Sequence, residues 1–151
     1  MFVQITDWHN NPVSIDPARV IKIREAGIAD EPMDTVFIDY VSGGTFAKDS
    51  LKNIVKLFGT YIRLAALHAP NGMPVFLNSD GVASIDVDDR YDGNSVAIVS
   101  RDFENMRVPA RNKIALEENA ADATRIIESA ALQTTARSRS RSARLARRPR
   151  R

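Results

Sequence analysis

The chain has 151 residues, 44% of them hydrophobic and 26% charged, and no cysteine. That is apolar material for one ordinary domain or two very small ones, and the lack of cysteine excludes disulfides, thiol catalysis and thiolate metal sites while fitting a reducing, cytoplasmic setting. The net charge of +2 averages two unlike regions: residues 137–151 carry 8 Arg and no acid, which leaves 13 basic and 19 acidic groups, a net of −6, over 1–136.

The opening "MFVQITDWHNN" lacks the basic segment and apolar run of a secretory signal. No apolar stretch approaches the roughly 20 residues of a membrane span. Val3 and Ile5 alternate with Gln4 and Thr6, the period of a half-buried strand. "VSI" (13–15), "DPARVIKI" (16–23), "TVFIDYV" (35–41) and "GTFAK" (44–48) read as further strands. The "SGG" of 42–44 is expected to supply positive-φ glycines for a hairpin turn. In "DSLKNIVKLFG", Asp49 or Ser50 suits a helix start, Leu51, Ile54, Val55 and Phe58 make one apolar face, and Gly59 suits the stop.

The same order then recurs. "YIRLAALHAPNGMPVFL" (61–77) echoes the opening at an offset of 59, pairing Phe2 with Tyr61, Trp8 with Leu67 and His9 with His68. A three-residue insertion then sets Pro12 against Pro74. "NSDGVASI" (78–85) answers "DPARVIKI", "NSVAIVS" (94–100) answers "TVFIDYV", and "ENMRVPA" (104–110) answers "GTFAK". A longer helix is expected within 111–132, with Ile114, Ala120, Ala123, Ile126, Ile127 and Ala130 as its apolar stripe. The pattern predicts an α+β protein, mainly antiparallel β: unit one at 1–59, unit two at 60–133, each closed by a helix, and a tail at 134–151. Only Thr60 separates the units, so they should pack together, sharing a core or pairing sheets.

The pieces "VQIT", "NPVSIDPARVIKI" and "TVFIDYVSGGTFAKDSLKNIVKLF" resemble the FlbD-like family of small bacterial flagellar accessory proteins. The resemblance covers about residues 2–58 and, more faintly, 61–127. It implies a non-enzymatic accessory of a larger assembly, with the flagellar motor as the concrete case, and supplies no catalytic residues. The duplication and the arginine tail depart from the single-unit pattern.

Motifs with chemistry are scarce. There is no P-loop, G-x-G-x-x-G, G-x-S-x-G or H-E-x-x-H. His9 and His68 read as strand-end turn residues in preference to metal ligands. Asp86, Asp88, Asp89 and Asp92 fail a calcium-loop template, which meets Arg90 at position 3 and Val99 at position 12. They read as a solvated hairpin loop. Trp8 reads as part of an apolar seam, with a partner-facing anchor as the other reading. No enzyme activity, cofactor or metal is expected.

The tail is the strongest compositional signal. Arg137, Arg139, Arg141, Arg144, Arg147, Arg148, Arg150 and Arg151 leave Leu145 as the one large apolar group of 137–151. Such a segment is expected to be disordered when free. Its partners would be nucleic acid, read without sequence preference because no aromatic residues interleave, anionic lipid, or an acidic protein surface, this protein's own acidic body included. Two functions result: an adaptor with a protein partner in a larger assembly, with oligomerisation left open, and a nucleic-acid-associated protein using the tail.

Overall fold

The computed structural model describes residues 1–90, 93–104 and 112–132. It is an α+β fold of mainly antiparallel strands. The first unit runs β1 (Val3–Thr6), β2 (Pro12–Ile15), a 3-10 turn (Pro17–Arg19), β3 (Val20–Glu25), β4 (Val36–Tyr40), β5 (Gly43–Ala47) and α1 (Leu51–Gly59). The second runs β6 (Leu64–His68), β7 (Pro74–Asn78), a 3-10 turn (Ser79–Gly81), β8 (Val82–Val87), β9 (Ser95–Val99), a 3-10 turn (Arg101–Phe103) and β10 (Lys113–Leu116). A second helix, α2, occupies 120–132.

The strands form a hairpin β1–β2, a five-stranded sheet ordered β5-β4-β3-β7-β6 and a three-stranded sheet ordered β10-β9-β8. A few backbone contacts join these pieces, among them an isolated bridge between Asp7 and Ala47. The Lys48 amide donates to the Thr6 carbonyl at 3.0 Å, and the Glu117 amide donates to the His68 carbonyl at 2.8 Å. The result is one ribbon in the order β2, β1, β5, β4, β3, β7, β6, β10, β9, β8. Its first five strands come from unit one and its last five from unit two.

The repeat extends to local chemistry. Asp16 Oδ1 accepts from the Ala18 amide before the first 3-10 turn, and Asn78 Oδ1 accepts from the Asp80 amide before the second. Both following strands shift register at the same step, Val20/Lys22 in β3 and Val82/Ser84 in β8. Such a bulge twists a strand and turns one side chain to the other face. Both helices are capped alike: Ser50 Oγ accepts from the Asn53 amide and Asn119 Oδ1 from the Asp122 amide, each satisfying an orphan N–H of the first turn.

Two apolar clusters lie on opposite faces of the central sheet. The first gathers Val3, Ile5, Ile15, Val20, Ile23, Ile38, Ile54 and Phe58. The second gathers Ile21, Ala65, Leu67, Val75, Leu77, Ala97, Leu116 and Ala123. The β3 bulge divides Ile21 from Val20 and Ile23, so a strand of unit one contributes to the core of unit two. In return, Phe76 of β7 packs against the first cluster, directly opposite Ile23.

Several sequence expectations are corrected. Thr6 pairs with Pro12 and His68 with Pro74, so the opening strands correspond at an offset of 62, not 59. Thr6 therefore matches His68, Ile5 matches Leu67, and no three-residue insertion is needed. The inward residues of β6 are Ala65 and Leu67, opposite in parity to the Ile62/Leu64 alternation. β10 lies beside β6 as β5 lies beside β1, while the matching of 104–110 with β5 falls, apart from Glu104, outside the described residues. Ile114 belongs to β10, and the helical stripe begins only at Ala120. Gly43 and Gly44 do not take positive φ. A Cβ on Gly44 would lie 2.6 Å from the Phe37 ring, so that position needs glycine for space. Gly59 ends α1 with helical φ and Thr60 is the cap.

Candidate functional site

β3 and β8 are the same strand of the repeat, yet their edges differ. β3 is paired on both sides, by β4 and by β7, with Lys22 opposite Leu77, Ile23 opposite Phe76 and Arg24 opposite Val75. Among the described residues β8 is paired only by β9, and its other backbone edge takes no strand from them, as is true of β2 at the far end of the ribbon. An unpaired edge is a template for an added strand. Ser84 and Asp86 stand where β3 has Lys22 and Arg24, and both are exposed. They lie opposite Ile98 and Val96, on the face turned away from the second cluster. That face is a shallow concavity of about 620 Å³ lined by Asp86, Asp89, Val96, Ile98 and Lys113, among others.

The acids at the end of β8 divide in two. Asp88 is buried and accepts from the Arg90 amide at 3.0 Å and from its Nε at 3.2 Å. The side-chain hydrogen bond from Arg90, helped by the amide, holds the Asp88 carboxyl below the usual carboxylate range. It is thus a structural turn residue. Asp86 and Asp89 remain on the surface. Asp92 lies outside the described residues.

The two histidines are not brought together. His9 sits in the turn after β1, its amide held by Asp7 Oδ1 at 2.9 Å and its ring 3.8 Å from that of Trp8. His68 ends β6, where Nδ1 lies 2.8 Å from Glu118 Oε1 while Glu118 Oε2 accepts the His68 amide. The pair ties β6 to the turn ahead of α2. No group of three or more His, Asp or Glu side chains placed to hold a metal occurs among the described residues.

Trp8 is 47% exposed and belongs to neither apolar cluster, which corrects its reading as part of a buried seam. Its amide donates to the Phe46 carbonyl, so it marks the joint between β1 and β5 with its ring half in solvent.

A second cleft, of about 450 Å³, lies where the units meet, bordered by Arg24, Ile28, Met73, Val75, Lys113 and neighbouring groups. Arg24 is committed within it. Its guanidinium clasps Glu31 through two bonds of 3.0 and 2.7 Å and lies 4.9 Å from the Phe37 ring centre. The Arg24 hydrogen bond is the main cause that lowers the Glu31 pKa.

The eight tail arginines lie outside the described residues. No helix among the described residues is long and apolar enough to cross a membrane. Comparison of the chain with protein-family models, curated proteins and solved structures returned no match. Sequence reasoning missed the open β8 edge. The available signal was the exchange of Lys22 and Arg24 for Ser84 and Asp86, visible only once the 62-residue offset is applied.

Proposed function

We propose that the protein is a non-enzymatic adaptor that engages a protein partner of a larger assembly through strand addition at its ribbon ends. The observation that carries this reading is the open β8 edge, matched in backbone to a β3 edge that already holds a strand. Backbone hydrogen bonds would give affinity and side-chain alternation along the edge would give register. The flagellar version of this role rests on the resemblance of residues 2–58 alone. The test is affinity capture from cells with wild type and with a Ser84→Lys/Asp86→Lys variant, since edge lysines oppose strand addition. The reading expects a discrete partner that the β8 variant loses and a Lys52→Ala control retains. A partner indifferent to the β8 changes would overturn it.

A second reading is favoured by composition. The arginines of 137–151 would contact phosphates by paired hydrogen bonds and release counterions. Anisotropy on short duplex DNA and RNA, comparing the full chain with residues 1–132, tests it. Affinity should fall with salt at a log–log slope of roughly −0.9 per phosphate on duplex DNA, and vanish on truncation.

A further inference from the structure

The open β8 edge has two sources of partner within the chain's own chemistry, and they can be weighed. The first is β2 of a second copy, since β7, its repeat equivalent, is what β3 binds. Repetition of that contact would be heterologous and would build rings or filaments. The side chains oppose it. Phe76, which packs beneath the β3–β7 joint, is replaced by exposed Ser14 in β2, and Ile21 is replaced by exposed Ala83 in β8. Asn78 Nδ2 donates to the Val20 carbonyl across the joint at 2.9 Å. Its equivalent in β2 is Asp16, whose carboxylate would face the Val82 carbonyl with no proton to give. The two ribbon ends are thus poorly matched to each other.

The second source fits. Residues 136–144, "ARSRSRSAR", alternate arginine and serine with period two, so a strand made from them sets Arg137, Arg139 and Arg141 on one face and serines on the other. The segment begins four residues past the end of α2 at 132. α2 packs on the second cluster through Ile126, Ile127 and Ala130, against which Val82 and Ile85 of β8 also pack. The outer face of β8 offers Ser84 and Asp86, then Asp89, where β3 has two cations; Lys113 and Arg90 border the same face, with Arg90 bonded to Asp88. We propose that residues 137–143 add as a strand to the open edge of β8 within the same chain, with their arginines on the Asp86 side. The tail would then cap the edge, and an outside partner would have to displace it. This inference rests on the reading of β8 as a docking edge.

The experiment is amide hydrogen exchange on the intact protein, compared with residues 1–132, Asp86→Lys, and Ser138→Pro/Ala143→Pro. The proline pair removes N–H donors of both strand parities and keeps every arginine. The inference expects β8 amides in the intact protein to exchange roughly tenfold more slowly than in each variant, independent of protein concentration. β8 exchange that truncation leaves unchanged would overturn it. Protection that persists in the proline variant would reduce the contact to charge attraction and overturn strand addition. Protection that rises with concentration would assign the edge to a second copy and overturn addition within one chain. Should the tail leave β8 untouched while the Ser84→Lys/Asp86→Lys variant still loses its captured partner, the adaptor reading stands and this inference alone fails.

Discussion

β3 and β8 begin from the same design and end in different environments. Both follow a 3-10 turn capped by an Asx side chain, both bulge one residue in, and both pair with the next strand in antiparallel register. β3 buries Val20, Ile21 and Ile23, divided between two cores, because β7 covers its second edge. β8 buries none of its six residues, and Val87 is 67% exposed. Burial of an edge, and not the strand's own propensity, decides which side chains it needs. Where the neighbour is present the chain writes Ile21, Phe76 and Asn78. Where it is absent it writes Ala83, Ser14 and Asp16.

The largest effect on that comparison should come from the cores. Phe58→Ala empties a fully buried site in the first cluster and should cost about 3–5 kcal/mol in urea unfolding. Because β3 and β7 belong to both cores, the loss should appear in a single transition reported alike by probes in either unit. Two separate transitions would break the picture of one shared sheet.

Exchanging the Asx residues sharpens it further. Asn78→Asp removes the donor to the Val20 carbonyl at a buried joint, and should cost about 1–3 kcal/mol. Asp16→Asn, at the open end, should stay within about 0.5 kcal/mol of wild type. Equal effects in chemical denaturation would mean that the two positions are not in different environments.

The Arg24–Glu31 clasp belongs to unit one alone, in the long β3–β4 connection. Glu31→Gln should destabilise by about 1–2 kcal/mol at neutral pH. The folded-state pKa of Glu31 is lowered, so the carboxylate's contribution is present above its unfolded value, about 4.3, and is lost as pH falls through the folded value. The stability gap between wild type and Glu31→Gln, followed by thermal melts across pH, should therefore close on acidification. A gap that widens below pH 4 would contradict the assignment.

The smallest difference concerns the helix caps. Ser50→Ala and Asn119→Ala each remove one acceptor from a first-turn N–H and should each cost about 1 kcal/mol. Similar values would support the equivalence of α1 and α2.

Much of the fold was legible in the sequence. Period-two alternation in "VQIT" and "VFIDY", the "DSLKNIVKLF" helix and the recurring Pro12 and Pro74 carry the repeated unit. The offset was misread because His9 and His68 are conspicuous, whereas Thr6, the true counterpart of His68, is not. Hydrogen-bond register decides such matches, and residue identity does not report it. Ile114 was drawn into a helical stripe because a four-residue strand holds too few alternations to outweigh the helix that follows. The candidate site was not legible at all. An open edge is defined by what fails to pair with it, and the pairing of β3 with β7 across 58 residues between Val20 and Asn78 has no local signature. Composition exposed the charged tail but gave no sign of where on the body its counter-charge lies.

β3 and β8 are the same strand of the repeat, closed on both sides in one place and, among the described residues, open on one side in the other. Residue-resolved hydrogen exchange on residues 1–132, with the tail removed, tests this difference most directly. Slow exchange is expected at every amide of Lys22 through Arg24, which have strand partners on both sides, and in β8 an alternation of slow amides bonded to β9 with fast ones on the open side. Uniform protection along β8, equal to that of β3, would contradict it.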